Sequence, residues 1–222
     1  MTARPRRGYM KIEYLGHSCF FMTSGKCSYL TDPFSGIGYE MSPVAADYVT
    51  MSHDHFDHNY LKGVRGAKKV FIRAGEYNAG DVLIKGIPCW HDDVCGAKRG
   101  ADVAFTYDFG GFTVCHMGDF GEKFSAKRAA DFGRPDVLLI PVGGTYTIDA
   151  KTAAEYVRTM NPKVAIPMHY RTESCVLDIS PLEDFIRVVG RENVCGPVSC
   201  FDSEKISQYE GKILIMEVLT HE

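Results

Sequence analysis

Nowhere does the sequence hold 18 consecutive apolar residues, which excludes a membrane-spanning helix of ordinary length. A strong excess of either charge is also missing, since 25 Lys and Arg stand against 28 Asp and Glu for a net charge of −3. So balanced a surface has no global pull toward nucleic acid or anionic lipid, and neither is expected as a partner. The most basic stretch, residues 62–73, mixes Lys62, Arg65, Lys68, Lys69 and Arg73 with Val64, Val70, Phe71 and Ile72. It reads as a solvated turn leading into a strand. The eight cysteines include no C-x-x-C pair, so neither a zinc knuckle nor a thioredoxin-type site is encoded. The opening MTARPRRGYM has the basic residues of a signal peptide but no apolar stretch behind them. The expectation is a cytoplasmic protein with a disordered lead over residues 1–8 and buried free thiols instead of disulfides.

What is present is 222 residues, 45% hydrophobic and 24% charged, enough for one sizeable core. No repeat, low-complexity tract or Pro/Gly/Ser linker divides them, and a single domain over 9–222 is expected. The first half reads as β. Short apolar or alternating runs at 11–15, 19–22, 27–31, 47–51, 69–72, 82–84, 103–108 and 112–117 are separated by turn residues such as Ser24-Gly25 and Gly110-Gly111. The second half alternates. A helix over 125–132 ends at Gly133, a buried strand follows at 137–141, and Asp149 caps a helix that runs through Met160 to Asn161-Pro162. A strand at 164–167 precedes a helix over 180–189, for which Ser180 reads as N-cap, Pro181 as first residue and Glu183 as the capping-box partner, with Gly190 past the end. Strands at 194–200 and 212–219 close the chain. This order fits an α/β (α+β) protein with two packed sheets and helices outside, although periodicity alone does not single out one fold.

The informative segment is Ser52-His53-Asp54-His55-Phe56-Asp57-His58, where three of the eight histidines and two aspartates fall within six residues directly after an apolar strand. A loop leaving a strand end lets side chains at such spacing converge, and imidazole with carboxylate suits zinc and similar ions. An exposed polar turn would not need this density. His91, Asp119 and His169 each follow a short apolar run, as ligands gathered at one edge of the sheets would. Asp92 and Asp93 follow His91 and are open as substitutes or supports for it. His116 lies inside a strand and reads as a core or supporting histidine, His17 as structural or rim, and His221 as carrying no signal. Asp32 either opens a turn with Pro33 or accepts a hydrogen bond from a ligand imidazole. Cys95 and Cys175 lie a few residues from His91 and His169.

The pattern His53-x-His55-x-Asp57-His58 resembles the H-x-H-x-D-H signature of the metallo-β-lactamase superfamily. Leu30-Thr31-Asp32-Pro33 is similar to that family's early strand-end aspartate, and Trp90-His91-Asp92, His116-Met117-Gly118-Asp119 and Pro167-Met168-His169-Tyr170 to its later motifs, in order and spacing. The resemblance implies a four-layer αββα sandwich of two mixed sheets flanked by helices. It implies two divalent metal ions, zinc first and manganese or iron(II) as alternatives. His53, His55 and His91 would hold one, Asp57, His58 and His169 the other, with Asp119 between them and Asp57 and Asp119 catalytic. Ions about 3.5–4 Å apart would activate water and polarise an electrophile. The implied activity is hydrolysis of an ester, lactone, amide, thioester or phosphodiester in a small molecule, possibly anionic, with homo-oligomerisation open.

The resemblance is nearest to small hydrolases such as L-ascorbate-6-phosphate lactonase and relatives of N-acylphosphatidylethanolamine phospholipase D, as a likeness of scaffold and motif only. Tyr146, in the Gly143-Gly144-Thr145-Tyr146-Thr147 loop, and Arg171 are candidate substrate-rim residues. A di-iron redox relative is disfavoured by His55, where those proteins usually carry Glu. A non-catalytic metal-binding scaffold is the other alternative.

Overall fold

Period-two alternation in the first strands sorts their side chains between two cores. Ile12, Tyr14, Phe20, Met22 and Tyr29 enter a main core, whereas Leu15, Cys19 and Leu30 face a smaller one on the opposite side. The computed structural model describes residues 9–219, so the lead at 1–8 and His221 fall outside the described residues. In chain order the strands are β1 (Lys11–Gly16), β2 (Cys19–Ser24), β3 (Cys27–Thr31), β4 (Val44–Ala45), β5 (Tyr48–Thr50), β6 (Val64–Arg65), β7 (Lys69–Phe71) and β8 (Gly75–Ala79). They continue with β9 (Val82–Trp90), β10 (Ala101–Asp108), β11 (Thr113–His116), β12 (Val137–Pro141), β13 (Val164–Met168), β14 (Val194–Val198), β15 (Phe201–Asp202) and β16 (Lys212–Met216). The α-helices are α1 (Ala126–Phe132), α2 (Ala150–Met160) and α3 (Leu182–Val189).

Two mixed sheets result. The six-stranded sheet has the order β15-β1-β2-β3-β5-β7 and the eight-stranded sheet β14-β16-β13-β12-β11-β10-β9-β8. In the first, β3, β5 and β7 run parallel; in the second, β11, β12, β13, β16 and β14 do. Every residue of β12 and β13 is buried, as expected of strands with a sheet on one face and helices on the other. Ala129 and Phe132 of α1, Ala153, Tyr156 and Met160 of α2 and Phe185 of α3 complete that main core.

The opposite face of the six-stranded sheet is covered differently. Leu15, Leu30 and Val49 pack there under Phe34, Ile37, Met41 and Val44. Residues 33–46 and 60–66 supply this outer layer as loop, the β4·β6 ribbon and one turn of 3-10 helix (Leu61–Gly63), with no α-helix. Gly36 and Gly38 take φ of 75° and 96°, which a continuous helix cannot accommodate.

Ser125 and Asp149 cap α1 and α2 by accepting the N–H of Arg128 and Thr152, and Asn161 closes α2 in the left-handed region. The third helix departs from expectation. Its N-cap is Pro181 and no side chain caps it, because Ser180 spends its backbone on Gly143 and Arg171 while Glu183 pairs with Arg191 at 2.7 and 2.9 Å. Strand β8 was not evident in the sequence, since Gly-Glu-Tyr-Asn-Ala on an exposed edge carries no apolar pattern. Among the described residues no helix is long and apolar enough to cross a membrane.

The cap at α2 is testable. Asp149→Ala should destabilise the protein by about 1 kcal/mol and lower Tm by about 2–4 °C in thermal melts, and an unchanged Tm would mean the cap contributes nothing.

Candidate metal centre

Strand ends build the site. His17 follows β1, Asp32 follows β3, the 53–58 loop follows β5, His91 follows β9, Asp119 follows β11 and His169 follows β13. Both sheets therefore contribute from the same edge. Asp119 is the hub, with its Oδ2 3.2 Å from Nε2 of both His58 and His169, 3.5 Å from His91 Nε2 and 4.0 Å from His53 Nε2. The rings of His53, His55 and His91 stand 4.3, 4.6 and 5.1 Å apart between centroids. Three overlapping groups have ligand atoms close enough to share an ion: His53/His55/His91, His53/His58/Asp119 and His17/Asp57/His58/His169. All seven candidate ligands are thus brought together.

One buried carboxylate orients two of these imidazoles. Asp32 accepts from Ser52 N–H at 2.7 Å and from Ser52 Oγ at 2.6 Å, and lies 2.9 Å from His58 Nδ1. Nδ1, bonded to this carboxylate, keeps its proton, so a cation that displaces the proton Asp119 holds on Nε2 would meet that nitrogen's lone pair. Ser52 Oγ, having given its proton to Asp32, accepts from His53 Nδ1 at 2.9 Å, which frees the lone pair of His53 Nε2. The second reading of Asp32 is the one the structure realises.

Two buried polar atoms of the cluster, His53 Nε2 and Asp119 Oδ1, are left without hydrogen-bond partners. Orphaned buried atoms of this kind call for an explanation, and nitrogen and oxygen lone pairs facing one point fit divalent cations. The electrostatics agree. Burial would raise the pKa of Asp119, yet His169 and His58 hold it well below the usual carboxylate range. Burial likewise opposes ionisation of Asp57, but His17 and His58 pull its carboxyl down. Burial disfavours a charged His58, and Asp119 with Asp32 outweighs it and raises its pKa. Three ionised carboxylates, Asp32 included, make this interior a place for positive charge.

His17 was read as structural or rim and instead lies in the cluster. It is buried, with Nε2 3.2 Å from Asp57 Oδ2 and 3.3 Å from His58 Nε2. Burial and the neighbouring His169 push its pKa down to about 4, so it is a neutral imidazole at pH 7. Its φ of 52° places it in the left-handed region, and its carbonyl accepts the His169 N–H at 2.9 Å. A histidine between two short strands carries no periodic signal, but Gly16 before it marks the turn that aims it. Asp102 was also missed. Its Oδ1 is 3.4 Å from His53 Nδ1, and an acidic residue inside the apolar run of β10 was the available clue.

The other candidates separate. His116 is buried, donates from Nε2 to Ser18 O at 2.8 Å and accepts the Gly118 N–H at 3.2 Å, so it shapes the turn that presents Asp119. Asp92 is no substitute ligand, because its carboxylate accepts the backbone N–H groups of Val94, Gly96, Lys98 and Arg99 at 2.8–2.9 Å. Those bonds hold its pKa down to about 2 against the burial that would raise it. A cavity of about 340 Å³ opens over the cluster, with His55, Asp57, His91 and Asp119 at its base and Phe56, Leu177, Tyr146 and Arg99 as walls. Tyr146 is among the residues that line this cavity. Arg171 does not line this cavity; it is exposed, and its backbone pairs with Ser180 and Pro181. Cys95 and Cys175 belong to none of the ligand groups.

A family model described as the beta-lactamase superfamily domain matches residues 11–169. The chain belongs to the metallo-β-lactamase superfamily. A protein of Carboxydothermus hydrogenoformans named UPF0173 metal-dependent hydrolase is 31% identical over 212 residues, covering 82% of this chain and 94% of that one. Its namesake in Archaeoglobus fulgidus is 30% identical, with 81% and 90% covered. Among solved structures, a Thermotoga maritima protein described as a Zn-dependent hydrolase of the superfamily matches with a TM-score of 0.77 and 34% identity, covering 95% of this chain and all of that one. The diiron β-hydroxylase CmlA of Streptomyces venezuelae matches with a TM-score of 0.64 at 15% identity over 53% of its length, a likeness of fold alone. The protein is a metal-dependent hydrolase of this superfamily.

Two outcomes follow for this metallo-β-lactamase relative. Zn2+ in thousandfold excess over its Kd should add about 4 kcal/mol of stability and raise Tm by about 8–16 °C, an effect absent if the cluster binds no ion. Asp32→Ala should weaken metal affinity about tenfold to a hundredfold in competition with a chromogenic chelator, and equal affinity would remove its orienting role.

Proposed function

We propose that this protein hydrolyses an ester, lactone, thioester or phosphodiester bond of a small molecule over two adjacent divalent cations, with zinc the first choice. The observation that carries this reading is the pair of contiguous ligand groups joined through Asp119 at the base of one cavity. His53, His55 and His91 would hold one ion and Asp57, His58 and His169 the other, with Asp119 shared. When bound, such ions lower the pKa of water toward neutrality and polarise the bond to be cleaved.

The chain's own residues supply the rest. Asp57 lies on the cavity side of the cluster and is held ionised, so its carboxylate accepts a hydrogen bond from a water molecule and orients it. His17, neutral beside Asp57 Oδ2, keeps that carboxylate in place. Phe56, Leu177 and Tyr146 line the mouth with apolar and aromatic surface. A cavity of about 340 Å³ suits a small molecule and not a polymer lying across the surface. Eight cysteines, none in a disulfide, support residence in the reducing cytoplasm.

Metal-reconstituted protein should turn over at least one chromogenic phosphodiester, lactone or thioester, and stop when chelator is added. Metal-loaded protein inert on every class would refute the reading. Asp57→Ala should lower kcat by about tenfold to a hundredfold, since a residue that holds the ion and orients the water is lost. His169→Ala should lose bound metal, measured by elemental analysis, to a greater extent than His116→Ala; equal losses would mean that His116 is itself a ligand.

A further inference from the structure

The cavity over the cluster has one cationic wall, and that cation has no carboxylate partner. Arg128, Arg187 and Arg191 each pair with Asp or Glu within 3.1 Å, and Lys98, beside Arg99, pairs with Asp93 at 3.1 Å. Among the described residues no carboxylate oxygen lies within 4 Å of the Arg99 guanidinium. Its one hydrogen bond is from Nη2 to the Thr145 carbonyl at 2.8 Å, and its guanidinium carbon sits 5.3 Å from the centre of the Tyr146 ring. Five N–H donors in a rigid fork are more than one carbonyl can use.

The placement of this side chain is built into the loop. Asp92, itself 2% exposed, gathers four backbone N–H groups of the loop, those of Val94, Gly96, Lys98 and Arg99, the last at 2.8 Å. His91 N–H closes the base of the loop on Gly100 O at 3.2 Å. Thr145, which holds the guanidinium, has a φ of 52°, so its own loop is held in a costly conformation. A positive fork fixed before any ligand arrives loses little freedom on binding an oxyanion. The facing walls are apolar. Leu177 lines the cavity, and Phe56, set between the ligands of the 53–58 loop, is 57% exposed despite its size.

We propose that Arg99 anchors the substrate, which carries a remote anionic group, a carboxylate or a phosphate, in addition to the bond that is cleaved. The anion meets the Arg99 fork, the scissile bond lies over the cluster at the base, and an apolar connecting segment lies against Phe56, Leu177 and Tyr146. This rests on the hydrolase reading above and assigns the substrate class to the same site.

The test compares two esters that differ only in a remote charge, mono-p-nitrophenyl glutarate and its methyl ester, on metal-loaded wild type, Arg99→Gln, Arg99→Lys and Lys98→Gln. The readout is the ratio of kcat/KM for the acid to that for the neutral ester. Wild type should favour the acid, and Arg99→Gln should lower the ratio about tenfold to a hundredfold, the size of a charge-assisted contact. Arg99→Lys should retain part of the preference, and Lys98→Gln should stay within twofold of wild type. A ratio unchanged in Arg99→Gln, or lowered as far by Lys98→Gln, overturns the proposal. Calorimetric binding of glutarate to the same metal-loaded proteins is measured alongside. If neither ester is hydrolysed, the hydrolase reading has failed at these bonds, and Arg99 is judged by binding. A tenfold weaker glutarate in Arg99→Gln then upholds the anchor, and equal affinity rejects it.

Discussion

Asp32 is a buried, ionised carboxylate on which the geometry of the centre depends. With no solvent to satisfy it, it draws in Ser52 N–H, Ser52 Oγ and His58 Nδ1. Each of those bonds has a consequence for a ligand. The first two pin the residue that opens the 53–58 loop, and through Ser52 Oγ they also decide which nitrogen of His53 faces inward. The third does the same for His58. Removing this one acid would leave two imidazoles free to rotate or to change tautomer, and a cluster that must present lone pairs to a common point has no tolerance for either.

Backbone strain concentrates at the same edge. His17, Asp32 and His169 all have positive φ, at 52°, 36° and 52°, in residues that bear a Cβ. Such conformations are unfavourable and persist where surrounding structure over-determines them. Here the over-determination is visible. Asp32 N–H is held by Thr50 O, and the His169 N–H by the His17 carbonyl, which also accepts Tyr14 Oη at 2.8 Å. The strand ends of both sheets are thereby turned abruptly inward, which aims side chains from two separate sheets at one another.

Much of this was legible in the sequence because ligands placed after apolar runs betray themselves by composition. The 53–58 loop, His91, Asp119 and His169 are polar residues where strands stop, the element order fits two packed sheets, and the Asp149 cap of α2 follows from capping chemistry. What was not legible depends on distance in space. His17 gains its role only when β1 and β13 are brought together, and Asp102 and Arg99 lie in segments whose local pattern is an ordinary strand and an ordinary loop. Arg171 looked well placed by adjacency to His169, yet the chain turns away to pair with Ser180. The start of α3 was misread for a related reason, since Ser180 and Glu183 had tertiary partners that outcompeted the local capping motif. Helices were expected to flank both sheets, but the glycines of residues 33–46 and 60–66 favour a loop layer on one side.

The clasp formed by Asp92 has a further consequence. Because the loop between β9 and β10 is tied to a single internal carboxylate and sealed at its stem, its outward residues can be exchanged without disturbing His91 beneath them. With Arg99 as the anchor proposed above, water activation and molecular choice would lie on separate parts of the frame. Exchanging residue 99 and its neighbours would then change which molecule is accepted and leave the cluster beneath as it is.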